Sequence, residues 1–151
     1  MTLRHILIST HVAQDYTTVF NQFDEKLFAA LQPPFPPAEV VRFDGSEVGD
    51  EVHVKLFTGF KKELWISRIT ERTLGEEEHV FTDKGIQLPS FLTYWKHRHR
   101  VRKEPAGCTI IDDITLSFAS PLLYPIFYPE VYMQFAMRKP IYRKYFSEGS
   151  K

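Results

Sequence analysis

The chain has 151 residues, with 19 Lys and Arg against 19 Asp and Glu for a net charge of zero, and one cysteine. Zero net charge excludes a long-range field that would draw in nucleic acid or an acidic lipid surface. A lone thiol, Cys108, excludes an internal disulfide or a cysteine metal cage and fits a reducing, cytoplasmic setting. The length suits one domain over residues 1–151. Without a leader-like N-terminus or an apolar run near the roughly 20 residues a bilayer needs, neither secretion nor stable membrane insertion is expected.

Taken in chain order, Leu3 to Val12 reads as a first strand at a sheet edge. Apolar residues at Phe20, Phe23, Leu27, Phe28 and Leu31 then follow helical spacing, with Asp15 as N-cap and Asp24 breaking the run into two short helices. The stretch Pro33-Pro34-Phe35-Pro36-Pro37 stops them as an extended linker. Six strands follow: Glu39 to Phe43, Glu51 to Thr58, Lys62 to Thr73, Glu77 to Thr82, Phe91 to Lys103 and Cys108 to Phe118. Turn signals such as Asp44-Gly45, Leu74-Gly75-Glu76 and Pro105-Ala106-Gly107 join them into an antiparallel meander. From Pro121 the spacing is helical again, with Phe127, Val131, Gln134, Phe135, Arg138, Tyr142 and Tyr145 as a stripe. Pro125 and Pro129 are expected to delay the start of this long helix and Pro140 to kink its end.

The strand from Phe91 carries the chemistry. Alternation puts Phe91, Thr93, Trp95, His97, His99 and Val101 on one face and Tyr94, Lys96, Arg98, Arg100 and Arg102 on the other, so an imidazole pair turns inward. Pairing Lys103 with Cys108 across the turn sets His99 against Asp112, His97 against Ile114 and Trp95 against Leu116, matching apolar face to apolar face. A carboxylate beside an imidazole fixes its tautomer and supplies either an acid–base pair or a polar anchor for a ligand. The spacing His97-x-His99 also suits zinc, but it needs a third ligand from Asp112 or from His5, His11, His53 or His79, and the reading assigns no metal and no cofactor. The outward basic run is explained by sheet alternation with screening from acids such as Glu76, Glu77 and Glu78.

The order of elements, with Val19-Phe20-x-x-Phe23-Asp24, Arg42-Phe43-Asp44-Gly45, Gly49-Asp50 and the terminal aromatic helix, resembles the SRPBCC, or START-like helix-grip, superfamily, which includes birch-pollen-allergen-like proteins and polyketide cyclases. The resemblance implies an α+β fold: a curved seven-stranded antiparallel sheet, two short helices, and a long C-terminal helix with an apolar cavity between sheet and helix. It departs from the plant members' glycine-dense loop, since only Gly45 and Gly49 stand there.

The functional expectation is a protein that binds a hydrophobic or aromatic small molecule in that cavity. Trp95, His97, His99 and Asp112 form the preferred site, and Trp65, Phe127, Val131 and Phe135 the walls. Two alternatives stand beside it. One is a cyclase- or dehydratase-like enzyme using His99 and Asp112 as acid and base. The other is a lipid or quinone carrier docking through exposed Tyr124, Phe127 and Tyr128.

Overall fold

The computed structural model describes residues 1–32 and 37–148. Of the proline linker expected at residues 33–37, residues 33–36 lie outside the described residues. The chain runs β1 (Arg4–Val12), α1 (Tyr16–Phe20), α2 (Glu25–Ala30), β2 (Ala38–Phe43), β3 (Glu51–Phe57), β4 (Lys62–Leu74), β5 (Glu78–Gln87), β6 (Leu92–Glu104), β7 (Gly107–Phe118), α3 (Tyr124–Ala136) and α4 (Arg138–Glu148).

All seven strands form one antiparallel sheet in the order β1-β7-β6-β5-β4-β3-β2, so β2 to β7 are a meander and β1 closes one edge. Side-chain oxygens start both short helices. Asp15 accepts from the backbone N–H groups of Thr17 and Thr18, and Asp24 from that of Leu27, satisfying amides that have no partner inside a helix.

The register of β6 on β7 is the one the turn imposes: Lys103 opposite Cys108, His99 opposite Asp112, His97 opposite Ile114 and Trp95 opposite Leu116. Gly107 makes that turn with φ +117°, a region where side chains with a Cβ are strained. Below Trp95 the alternation fails. A bulge between Leu92 and Tyr94 buries Leu92 and leaves Thr93 exposed, because one extra residue shifts the faces by one.

The C-terminal helical segment grips the concave face and is divided at Met137 into α3 and α4. Two of the prolines act differently from expectation. Pro125 sits in the first turn of α3, where no N–H is needed, and Pro129 is accommodated inside the helix, so the start is not delayed. Pro140 falls in the first turn of α4, where it cannot donate to the Ala136 carbonyl, and the break expected of it is the division of the segment at Met137. Tyr128 donates to the His5 carbonyl at 2.8 Å, Gln14 donates to the carbonyl of Phe146, and these bonds tie both helices to the β1 region.

The buried side chains form two apolar clusters. One gathers Val19, Phe20, Phe81, Val101, Ile110, Tyr142 and Phe146 under α1, α2 and α4. The other gathers Ile8, Trp95, Ile114, Leu116, Val131 and Phe135 under α3. The outward basic run is paired across strands: Arg98 with Asp113 at 3.1 Å, and Arg100 with Glu78 at 3.0 Å and Asp113 at 3.2 Å.

Candidate functional site

A polar row crosses the sheet between the two apolar clusters: Asp83 on β5, His97 and His99 on β6, and Asp112 on β7. Along β6 the inward order is Trp95 from one cluster, then the two imidazoles, then Val101 from the other. Along β7 it is Ile114, Asp112, Ile110. Strand alternation alone carries these side chains to the concave face, at a level where neither cluster seals it.

The side-chain pairing departs from the strand pairing. His97 lies opposite Asp83 and His99 opposite Asp112, yet His97 Nε2 bonds Asp112 Oδ1 at 2.9 Å and His99 Nε2 bonds Asp83 Oδ2 at 2.6 Å. Each imidazole passes the carboxylate directly opposite and reaches the diagonal one, within range for a long side chain. The two rings stack face to face with centroids 3.6 Å apart, so one leans toward β7 and the other toward β5. The pair expected between His99 and Asp112 is therefore replaced by two crossed pairs, and the carboxylate serving His99 is Asp83. On its far side the His99 ring stacks on Phe81 at 4.2 Å.

Electrostatics follow from burial and these contacts. Burial opposes ionisation of Asp83, but the His99 hydrogen bond and the imidazole charges outweigh it and hold the carboxyl below its ordinary range. Asp112 is held low in the same way, by the His97 bond and the Arg138 charge acting against burial. Burial, reinforced by the neighbouring His97 charge, pushes His99 down to about 4 in spite of its Asp83 partner. His99 is thus a neutral imidazole near pH 7. With both carboxylates ionised, each Nε2 carries the donated proton, and on the neutral His99 ring this leaves Nδ1 as a bare acceptor. His99 Nδ1 has no hydrogen-bond partner, and His97 Nδ1 stands 3.9 Å from Asp83 Oδ2.

Arg138, 3.5 Å from Asp112 Oδ1 and with its guanidinium 4.3 Å from the Phe135 ring centre, supplies the cation of the row from α4. The row thus sets two carboxylates against one guanidinium.

Above the row opens a cavity of about 400 Å³ between the sheet, α2 and α3. Its walls are largely aromatic, with Phe23, Phe43, Phe57, Trp65, Phe91 and Phe127 around the floor residues Phe81, Asp83, His97 and His99. Trp65 meets Trp95 edge-on at 4.8 Å. Of the residues named from the sequence, Trp95, His97, His99, Trp65, Phe127, Val131 and Phe135 all line this space. Asp112 does not. It is 2% exposed and reaches the cavity only through His97, because its side chain points along the sheet toward that ring and Arg138. Tyr124, Phe127 and Tyr128 are half-buried rather than exposed, and Leu122 and Ile126 hold the exposed apolar positions at the start of α3.

Two residues escaped the sequence reading. Asp83 lies one residue past Thr82, where the strand read from the sequence ends, whereas β5 continues to Gln87. Continuing the inward alternation of His79 and Phe81 by one step points Asp83 at the imidazoles. Arg138 gave a weaker signal, a cation on an otherwise apolar helical stripe that burial obliges to find a carboxylate.

Sheet order, register and gripping helices together define a helix-grip protein with a polar-floored aromatic cavity. The norcoclaurine synthase of Thalictrum flavum superposes with a TM-score of 0.60 at 15% identity over 93% of this chain and 87% of that one. The Zhui aromatase/cyclase from Streptomyces sp. R1128 gives 0.55 at 15% identity over 79% and 70%. Ara h 8.0201 gives 0.52 at 14% over 80% of each chain. These likenesses establish the helix-grip fold shared by birch-pollen-allergen-like proteins and polyketide cyclases. No family model and no curated protein sequence matches the chain. Among the described residues, no helix is long and apolar enough to cross a membrane.

Proposed function

We infer that the chain binds a hydrophobic or aromatic small molecule in the cavity under α3, oriented by the imidazole floor. The observation that carries this reading is an aromatic-walled space of about 400 Å³ with Asp83, His97 and His99 at its base. That volume lies within the usual range for ligand pockets, and burial of apolar surface would supply most of the affinity. A floor of one carboxylate and two imidazoles offers polar partners to a ligand hydroxyl or amide, which suits a phenol better than a plain hydrocarbon.

Proton abstraction of the cyclase type draws less support. A base whose conjugate acid has a pKa of about 4 accepts protons weakly near pH 7, and the carboxylate beside it is Asp83, with Asp112 behind His97. A carrier of lipids or quinones would use the same cavity, and the molecule recovered would distinguish it.

Native mass spectrometry of freshly purified protein, followed by organic extraction, tests the binding reading, with 8-anilinonaphthalene-1-sulfonate as the probe for empty protein. Saturable 1:1 dye binding that Val131→Trp weakens at least about 10-fold, without loss of the folded state, is expected. Absence of both a copurifying molecule and saturable dye binding refutes the reading.

A further inference from the structure

The floor of the cavity holds one more property, set by three donors and their surroundings. Asp83, His97 and His99 are the one group among the described residues whose ligand atoms all lie within 4.8 Å of one another. We propose that Asp83, His97 and His99 bind a divalent transition-metal ion of the Zn²⁺, Fe²⁺ or Co²⁺ type, with its remaining coordination positions facing the cavity.

Four observations converge on this site. The donor set is two imidazoles and a carboxylate, the combination borderline cations select and magnesium or calcium do not. His97 Nδ1 stands 3.9 Å from Asp83 Oδ2, beyond hydrogen-bond range and close enough for one ion to bridge the two. Asp112 bonds the opposite nitrogen of His97 at 2.9 Å and is itself contacted by Arg138, the outer carboxylate that orients a metal-binding histidine and sets its tautomer. Lastly, the buried row sets the carboxylates of Asp83 and Asp112 against the single guanidinium of Arg138, an arrangement a cation complements.

Binding shifts the His99 ring proton from Nε2 to Nδ1 and exchanges the His99–Asp83 hydrogen bond for two bonds to the ion. Metal–ligand lengths near 2.0–2.2 Å put neighbouring donors about 3 to 3.5 Å apart, so His97 Nδ1 and Asp83 Oδ2 close by roughly half an ångström. Because all three donors line the cavity, the ion keeps open positions, as catalytic rather than structural zinc does. An ion there would present a Lewis acid to whatever enters, whichever organic molecule that is.

The test uses Co²⁺ alone, on tag-free, chelator-treated protein with no organic ligand, so that it stands apart from the binding experiment above. The chain's two tryptophans report directly, since Trp95 lies 6.1 Å from the His97 ring and Trp65 4.8 Å from Trp95. The expected result is tryptophan quenching and visible cobalt absorption that saturate together at one equivalent. Asp83→Asn is expected to abolish both, and Asp112→Asn to weaken binding about 10- to 100-fold as loss of an outer-shell partner does. No saturable binding to the wild-type protein overturns the proposal, whatever the variants' folding. Binding unchanged in folded Asp83→Asn also overturns it, because the cobalt would then sit on surface histidines.

Discussion

The pH dependence of stability gives the sharpest test of the polar row. In the unfolded chain the His99 imidazole titrates near 6.5, and in the folded protein near 4. Between those values the unfolded state binds a proton that the folded state refuses, so acid favours unfolding. The stability is intact above pH 6.5 and is lost as pH falls toward 4. One such group costs about 2 kcal/mol between pH 8 and pH 5 and about 3 kcal/mol by pH 4, since each pKa unit is worth about 1.4 kcal/mol. His79, also depressed by burial, contributes with the same sign, so the His99 share must be isolated. Asp83 and Asp112, both held low, add a further loss only below the ordinary carboxylate range near 3.8. Urea denaturation from pH 8 to pH 4.5 in the presence of chelator measures the slope in wild type and in His99→Gln. The variant should lose most of the 2 kcal/mol dependence. Identical slopes in the two proteins, or a flat wild-type profile across this window, would refute the claim that burial keeps this ring neutral.

Other outcomes follow from single features. Gly107→Ala should lower stability by about 1–3 kcal/mol in thermal denaturation, because the backbone has φ +117° and a Cβ there runs into the Val12 carbonyl; an unchanged midpoint counts against the turn geometry. Tyr142 is fully buried with no partner for its hydroxyl, and burial pushes its pKa up, so Tyr142→Phe should leave stability equal or raise it by up to about 1 kcal/mol. A loss beyond that range would mean the hydroxyl is bonded. The Cys108 thiol is buried and pushed up to about 12, so a disulfide reagent should leave it untouched in native protein and titrate one thiol in denaturant. Rapid native labelling would contradict that placement.

Much of this architecture is legible in residue periodicity. Asp15 and Asp24 mark the two helix starts, and the Glu104 to Gly107 turn sets the β6–β7 register through His99 and Asp112. The face of Trp95, His97 and His99 follows from a period of two. The same logic failed at Thr93, because a bulge has no signature in alternation until the partner strand is known. It failed at Pro125 and Pro129 because a proline's effect depends on whether its position requires an amide donor, which the helix start decides.

The amino-acid order by itself determined which side chains turn inward and roughly which strands adjoin, since both are local consequences of backbone geometry and turn chemistry. Only the tertiary structure decided which carboxylate meets which imidazole. Asp83 enters through a third strand, Arg138 through a helix packed across the sheet, and the crossed pairs form because stacked rings lean in opposite directions. Such diagonal contacts between distant segments depend on twist and packing, quantities that no one segment contains.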